Sequence, residues 1–306
     1  MKKSLLFFVV VTLLSAFAQV FGQAPSAMPG GPPKVVLIIR EEIKPGMMPA
    51  HNKHSASYAG IFRSLQTPNY RIALLPVAGN ENEVIYLNPL ESFAQLQGTT
   101  EATDKKMSSL SGNMKAESDR LDKEAPVLHA GMRDMLGVLR PELGYGGPVD
   151  ISKMRFFSVT TVRVRPGHDA QYADYVQKIV TVARQKAKID TLHTAAYQMI
   201  SGTPAGTYMY FRPMRSLAEL DENIGMKVRA AMGDDMRKDA DKAVSDAIMS
   251  SETSTYWINP NMSYVPSPMA AGDPAFWNPK PEPIAVKPKP KPRPRKPATP
   301  PPPPTE

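Results

Sequence analysis

Apolar positions along this chain change their period in a fixed order, and the order occurs twice. Val35 to Ile39 is an unbroken β-branched and leucine run, the mark of a strand covered on both faces. Lys44-Pro45-Gly46 ends it. Tyr58, Ile61, Phe62 and Leu65 then fall at i, i+3, i+4 and i+7, which predicts a helix that buries one face. Thr67-Pro68-Asn69 stops that helix. Arg71 to Val77 and Glu83 to Leu87 read as strands joined by a turn at Ala78-Gly79-Asn80. Ser92 with Gln95 makes a capping box, and Met107, Leu110, Met114 and Leu121 continue a helical stripe behind it. Met132 to Leu139 is a further strand before the Arg140-Pro141 break.

The second pass is clearer than the first. Phe156 to Val164 alternates as a strand does. Tyr172, Tyr175, Val176, Ile179, Val180 and Ala183 make a helical face. Thr194 to Ile200 and Thr207 to Phe211 flank a Gly-Thr-Pro-Ala-Gly turn. Ser216 with Glu219 repeats the capping box, Ala240, Ala243, Val244, Ala247 and Ile248 line a helix, and Thr253 to Ile258 closes the series. Three landmarks recur at nearly constant spacing. Ile43-Lys44-Pro45-Gly46 returns as Val164-Arg165-Pro166-Gly167, Pro89-Leu90-Glu91-Ser92-Phe93 as Pro213-Met214-Arg215-Ser216-Leu217, and Leu139-Arg140-Pro141 as Ile258-Asn259-Pro260. The chain is a tandem duplication.

Each copy reads β-α-β-β-α-β, the ferredoxin-like order. A sheet with helices on one side leaves its other face bare, and a second copy supplies the cover. The expected class is therefore α+β: two tandem ferredoxin-like repeats, 34–148 and 149–266, packed sheet to sheet as a pseudo-dimeric α/β barrel.

The ends carry different signals. Lys2, Lys3, the apolar run Leu5 to Leu14 and the small residues after it predict a signal peptide over 1–22, cleaved after Ala18 or Gly22, and hence an exported bacterial protein, periplasmic or extracellular. Residues 23–33 read as a disordered leader. Residues 267–306 read as a disordered tail, rich in Pro, Lys and Arg, that favours polyproline II. The absence of cysteine rules out a disulfide framework. Of the net charge of +8, the signal segment holds +2 and residues 280–306 hold +5, so 23–279 keeps only +1. A nearly neutral folded part excludes nucleic acid as the expected partner. The tail has two readings, a spacer or a weak contact with anionic envelope polymers.

The duplicated unit resembles the dimeric α/β barrel superfamily, which includes antibiotic-biosynthesis monooxygenase-like and NIPSNAP-like domains, and more narrowly uncharacterised exported bacterial proteins of that type. The residues that carry the resemblance are the strand ending in Lys44-Pro45-Gly46 or Arg165-Pro166-Gly167, the amphipathic helix after it, the hairpin, and the helix begun by Ser92 or Ser216. For the monooxygenases, the resemblance implies an Asn, a Trp and a His or Arg in a cavity. The only tryptophans are Trp257 and Trp277, and that set is not matched. For haem-binding relatives it implies a His in the second copy, for which His193 is the candidate; otherwise no cofactor is expected.

No nucleotide fingerprint, phosphate loop or nucleophile elbow is present. Tyr58, Tyr175, Tyr197, Tyr208 and Tyr210, with His193, are the candidates to line a pocket for a small apolar or aromatic ligand. His51 and His54 stand at i, i+3 and are the weak metal candidates. Nothing in their helix adds a third ligand, Asn52 and Lys53 beside them suggest a solvated helix start, and His129 lies in a connection with no partner in view. The main expectation is a non-catalytic binding or structural role in the cell envelope. The alternative is a cofactor-independent monooxygenase-like enzyme acting on a small aromatic or quinone-like molecule.

Overall fold

The computed structural model describes residues 31–278. The expected signal peptide, most of the leader and the Lys-Pro tail lie outside the described residues. Within them, the duplication folds as its pattern requires. Repeat 1 runs β1 (Val35–Ile43), α1 (Met48–Leu65), β2 (Arg71–Ala78), β3 (Glu83–Leu90), α2 (Phe93–Ser108), α3 (Gly112–Leu128) and β4 (His129–Leu139). Repeat 2 runs β5 (Phe156–Val164), α4 (Asp169–Asp174), a π turn (Tyr175–Val180), α5 (Thr181–Lys186), β6 (Ala195–Ser201), β7 (Thr207–Met214), α6 (Ile224–Ala231), α7 (Asp234–Ala247) and β8 (Ile248–Tyr264). The strands close into a single antiparallel barrel in the order β1-β3-β2-β8-β5-β7-β6-β4. This is the pseudo-dimeric α/β barrel, with helices outside.

Two seams join the repeats. β6 meets β4 through Leu136 to Leu139, and β8 meets β2 from Arg71 to Ala78. β8 runs past both ends of the expected Thr253 to Ile258: Ile248, expected on the preceding helix, starts the strand and pairs with Val164, and the second seam carries it on to Tyr264. Its first half pairs with β5 and its second half crosses to β2, so one strand serves both sheets.

Inward residues of both repeats fill the barrel. Val36, Ile38, Ile72, Leu74, Ile85, Leu87, Phe157, Val159, Phe211 and Ile258 form one buried cluster. The expected tail begins later than 267. α8 (Ser267–Gly272) and α9 (Pro274–Trp277) fold against that cluster through Met269 and Trp277. The buried indole Nε1–H donates to the Ser152 carbonyl (3.0 Å), which fixes the ring at the barrel end. The Pro, Lys and Arg composition of 267–306 suggested disorder from its start, and one buried aromatic residue outweighs it there.

Turn chemistry sets the helices that matter for function. Gly46 and Gly167 hold φ of 81° and 82°, which a side chain disfavours, so each strand turns sharply into its helix. Pro49 sits in the first turn of α1, where its missing N–H costs nothing. At Ser92 the capping box forms as expected: Ser92 Oγ accepts from the Gln95 N–H (3.1 Å), and Gln95 Oε1 accepts from the Glu91 N–H (2.7 Å). At Ser216 only half of it forms. Glu219 accepts from the Arg215 N–H (2.7 Å), Ser216 makes no cap bond, and only a short 3₁₀ turn follows.

Candidate functional site

Between α1, α3 and the outer face of the repeat 1 sheet lies a cluster of charged and aromatic side chains. The outward positions of β1 are Ile39, Glu41 and Ile43, and Ile39 and Ile43 belong to the apolar layer under α1. Glu41 breaks that layer with a carboxylate. α1 brings His51, His54 and Ser55 to the same layer, and the first residue of β4, His129, faces it from the far side. Glu41 Oε2 lies 2.7 Å from His51 Nε2 and 3.4 Å from His129 Nε2. The His51 and His129 rings meet edge to face at 5.1 Å, and the His54 ring is 6.0 Å from that of His129.

His51 is fully buried and His54 is 5% exposed. The sequence expectation of a solvated helix start is therefore wrong for both. α1 is phased so that His51, His54 and Ser55 continue the stripe of Tyr58 and Phe62, while Lys53 is exposed and Asn52 half-buried. His129 also differs from expectation, because the strand begins at His129 itself and delivers its ring to Glu41.

Electrostatics follow from this packing. Burial pushes the Glu41 carboxyl up, but contacts with His129 and His51 outweigh it and bring its pKa down from 4.5 to about 2. The Glu41 carboxylate raises the His129 pKa, assisted by the Ala125 carbonyl and opposed by burial. That carbonyl lies in the last turn of α3, where it also accepts the His129 backbone N–H. Burial lowers the pKa of His54, with Glu124 at 3.6 Å acting against it. Burial raises the Tyr86 hydroxyl, which donates to Ser55 Oγ (2.8 Å), and Ser55 Oγ lies 3.3 Å from His51 Nε2.

A pocket of about 430 Å³ opens beside the cluster, lined by Glu41, His54, Tyr58, Phe62, Arg71 and Tyr86 among others. The Arg71 guanidinium lies over the rings of Phe62 (4.8 Å) and Tyr86 (4.7 Å), a cation held between aromatic faces. Tyr58 donates to Asp122 on α3.

Repeat 2 provides an internal control. Tyr172 and Tyr175 stand where His51 and His54 stand, counted from the two Pro-Gly turns. Val162 takes the rung of Glu41, since β1 pairs with β3 as β5 pairs with β7. Ile43 pairs with His129 and Val164 pairs with Ile248, so Ile248 takes the place of His129. Repeat 2 fills this space with an apolar and tyrosine layer: Val162, Val164, Tyr172, Val176 and Tyr208, with Tyr175, Tyr210 and Ile248 at its margin.

The tyrosine candidates do not share one pocket, as the sequence reading expected. Tyr58 lines the repeat 1 pocket. Tyr175, Tyr208 and Tyr210 belong to the packed layer of repeat 2, where the Tyr172 and Tyr210 hydroxyls meet at 2.7 Å and Tyr208 donates to Asp169 (2.8 Å). Tyr197 and His193 line a third place, a cavity of about 270 Å³ at the barrel end, walled by Val36, Ile72, Leu87, Phe157 and Phe211. Tyr197 donates to the Pro33 carbonyl (2.8 Å), and His193 Nδ1 donates to that of Gly147 (2.8 Å). The lining offers His193 and no lysine or arginine that could pair with the carboxylates haem carries.

No family model matches the chain, and no curated protein matches it. Among solved structures, it is similar to a putative monooxygenase from Fusobacterium nucleatum, at 10% identity over 73% of this chain and 91% of that one, with a TM-score of 0.44. An anthrone oxidase-like protein is similar at 12% identity over 74% and 90%, with a TM-score of 0.47. A mutant chlorite dismutase from Candidatus Nitrospira defluvii is similar at 10% identity over 75% and 92%, with a TM-score of 0.44. The likeness is one of fold alone. Among the described residues, no helix is long and apolar enough to cross a membrane.

Proposed function

We propose that this protein is an enzyme acting on a small, flat aromatic molecule held in the repeat 1 pocket, with monooxygenase-type oxidation as its reaction class. The observation that carries the reading is the contrast between the repeats. One fold is built twice, yet only repeat 1 places a carboxylate and three imidazoles where repeat 2 has Val162, Tyr172, Tyr175 and Ile248. The fold does not need those groups, and burying them is costly. Clustered perturbed groups beside an open pocket are the physical mark of a reactive site. Phe62 and Tyr86 line the pocket, and Arg71, stacked on both rings, supplies a cation for an oxygen that becomes anionic.

The test uses dithranol, 1-naphthol and hydroquinone in air. For an anthrone, the ring CH₂ becomes C=O: one atom of dioxygen enters the carbon, and the other leaves as water with the two hydrogens. Oxygen uptake with at least one of these compounds is expected, reduced at least about tenfold in Arg71→Leu, which corresponds to roughly 1.4 kcal/mol of transition-state stabilisation. No uptake and no binding of any compound, or full uptake by a folded Arg71→Leu protein, overturns the reading.

The barrel cavity favours a second reading, non-catalytic binding of a small apolar molecule, because its wall is apolar and its size suits one ring system. Ala195→Phe, which fills that cavity, abolishes binding of 1-naphthol under this reading and leaves it unchanged under the first. Export through the N-terminal signal, and contact of the basic tail with anionic envelope polymers, complete the proposal. Both rest on sequence outside the described residues.

A further inference from the structure

We infer that Glu41, His51 and His129 form a binding site for one divalent first-row transition cation. This deepens the proposed function by naming the cofactor of the same site, and it rests on that reading only for the use made of the metal.

Donor geometry is the first support. Zinc-type ions hold imidazole nitrogen and carboxylate oxygen at about 2.0–2.2 Å, which places neighbouring donors about 3.0 Å apart on an octahedral ion and about 3.4 Å apart on a tetrahedral one. Glu41 Oε2 lies 2.7 Å from His51 Nε2 and 3.4 Å from His129 Nε2, and all three atoms fall within 4.8 Å of one another. A small inward shift of one imidazole closes the set.

The orientation of His129 is the second support. Its Nδ1–H donates to the Ala125 carbonyl (2.8 Å). A metal-binding imidazole is held in this way, because the bond fixes the tautomer and leaves the Nε2 lone pair free to point at the ion. That Nε2 is buried and has no hydrogen-bond partner. Nor do His51 Nδ1 and His54 Nδ1, which are also buried. Unpartnered buried polar atoms are costly, and His129 Nε2 is one that faces the Glu41 carboxylate.

The composition of the set is the third support. Two imidazoles and one carboxylate leave positions open on the ion. This ligand set occurs in catalytic zinc sites and in non-haem iron sites that use dioxygen. The 430 Å³ pocket shares Glu41 and His129 with the cluster, so the open positions have a side from which a small molecule can approach. The rival account is a structural ion pair, with His129 doubly protonated against Glu41.

The test titrates the chelator-stripped full chain with zinc by calorimetry and with cobalt(II) by absorbance. One equivalent per chain is expected, with cobalt bands that report a low-symmetry site of nitrogen and oxygen donors. Glu41→Gln and His129→Asn are each expected to weaken binding by more than the ~10–100-fold that loss of a supporting residue costs. Tyr210→Phe, in the packed layer of repeat 2, retains binding. Melting curves show which variants remain folded. If either ligand variant unfolds, zinc protection of the wild-type Glu41 and His129 signals in NMR titration replaces it. Failure of the folded wild-type chain to take up a stoichiometric ion, or undiminished uptake by Glu41→Gln, overturns the inference and leaves the ion pair. Metal binding without turnover sinks only the enzyme proposal, and turnover by metal-free protein sinks only the use made of the metal, leaving the site itself to the titration.

Discussion

Repeat 1 and repeat 2 solve the same packing problem with different chemistry. In both, a strand turns through Pro-Gly into a helix that lies on the outer face of its sheet. Under α4 the layer is closed by Val162, Tyr172, Tyr208 and Ile248, and its hydroxyls are satisfied within the layer or by Asp169. Under α1 the equivalent places hold Glu41, His51 and His129, with unpartnered nitrogens and a pocket beside them. The apolar solution shows what the fold requires. Under the proposed function the polar one serves the site rather than the fold, and functional sites are where strain and unsatisfied groups are expected to concentrate.

Breaking the comparison at one residue gives the largest effect. His51→Ala leaves the Glu41 carboxylate buried with a single imidazole, and a loss of about 3–5 kcal/mol in urea denaturation is expected. Giving repeat 1 the residues of repeat 2, as Glu41→Val with His51→Tyr and His129→Ile, reverses the sign. That triple variant is expected to equal or exceed the wild type by up to about 4 kcal/mol, because it replaces buried charge with packing, while its metal binding and turnover are lost. A triple variant that is both less stable and still active contradicts the contrast.

Acid gives the next effect. Glu41 has a folded pKa depressed from 4.5 to about 2, so its contribution is present above pH 4.5 and is lost as pH falls through that window. On the order of 3 kcal/mol is at stake in the metal-free protein, and denaturation midpoints from pH 5 to pH 2 measure it. Glu41→Val, which removes the group, flattens that part of the profile. The smallest effect belongs to repeat 2. Tyr210→Phe removes one hydroxyl contact with Tyr172 and costs about 1 kcal/mol in the same assay, with metal uptake and turnover unchanged.

The fold was legible in the sequence because it depends on periodicity, and periodicity occurs twice. The Pro-Gly landmarks, the capping box at Ser92 and the alternation of Phe156 to Val164 all mark elements that formed. The length of β8 was not legible, since the half from Asn259 onward pairs across to the other repeat and has no local signal. The site was legible only in part. His51 and His54 were visible as a pair, and the phase of Tyr58 and Phe62 would have placed them inside, but Asn52 and Lys53 drew attention to the exposed face. Glu41 and His129 come from two strands far apart in sequence, and no spacing rule joins them. Superposing the two copies would have revealed them: a carboxylate against Val162 and an imidazole against Ile248 are the substitutions that a purely structural repeat does not need.

Anomalous diffraction from zinc-loaded crystals tests the central contrast most directly. A single strong peak among Glu41 Oε2, His51 Nε2 and His129 Nε2, with none beside Val162, Tyr172 and Ile248, is the expected result. A peak located elsewhere, or an ordered Glu41–His129 ion pair with no peak at saturating zinc, contradicts it.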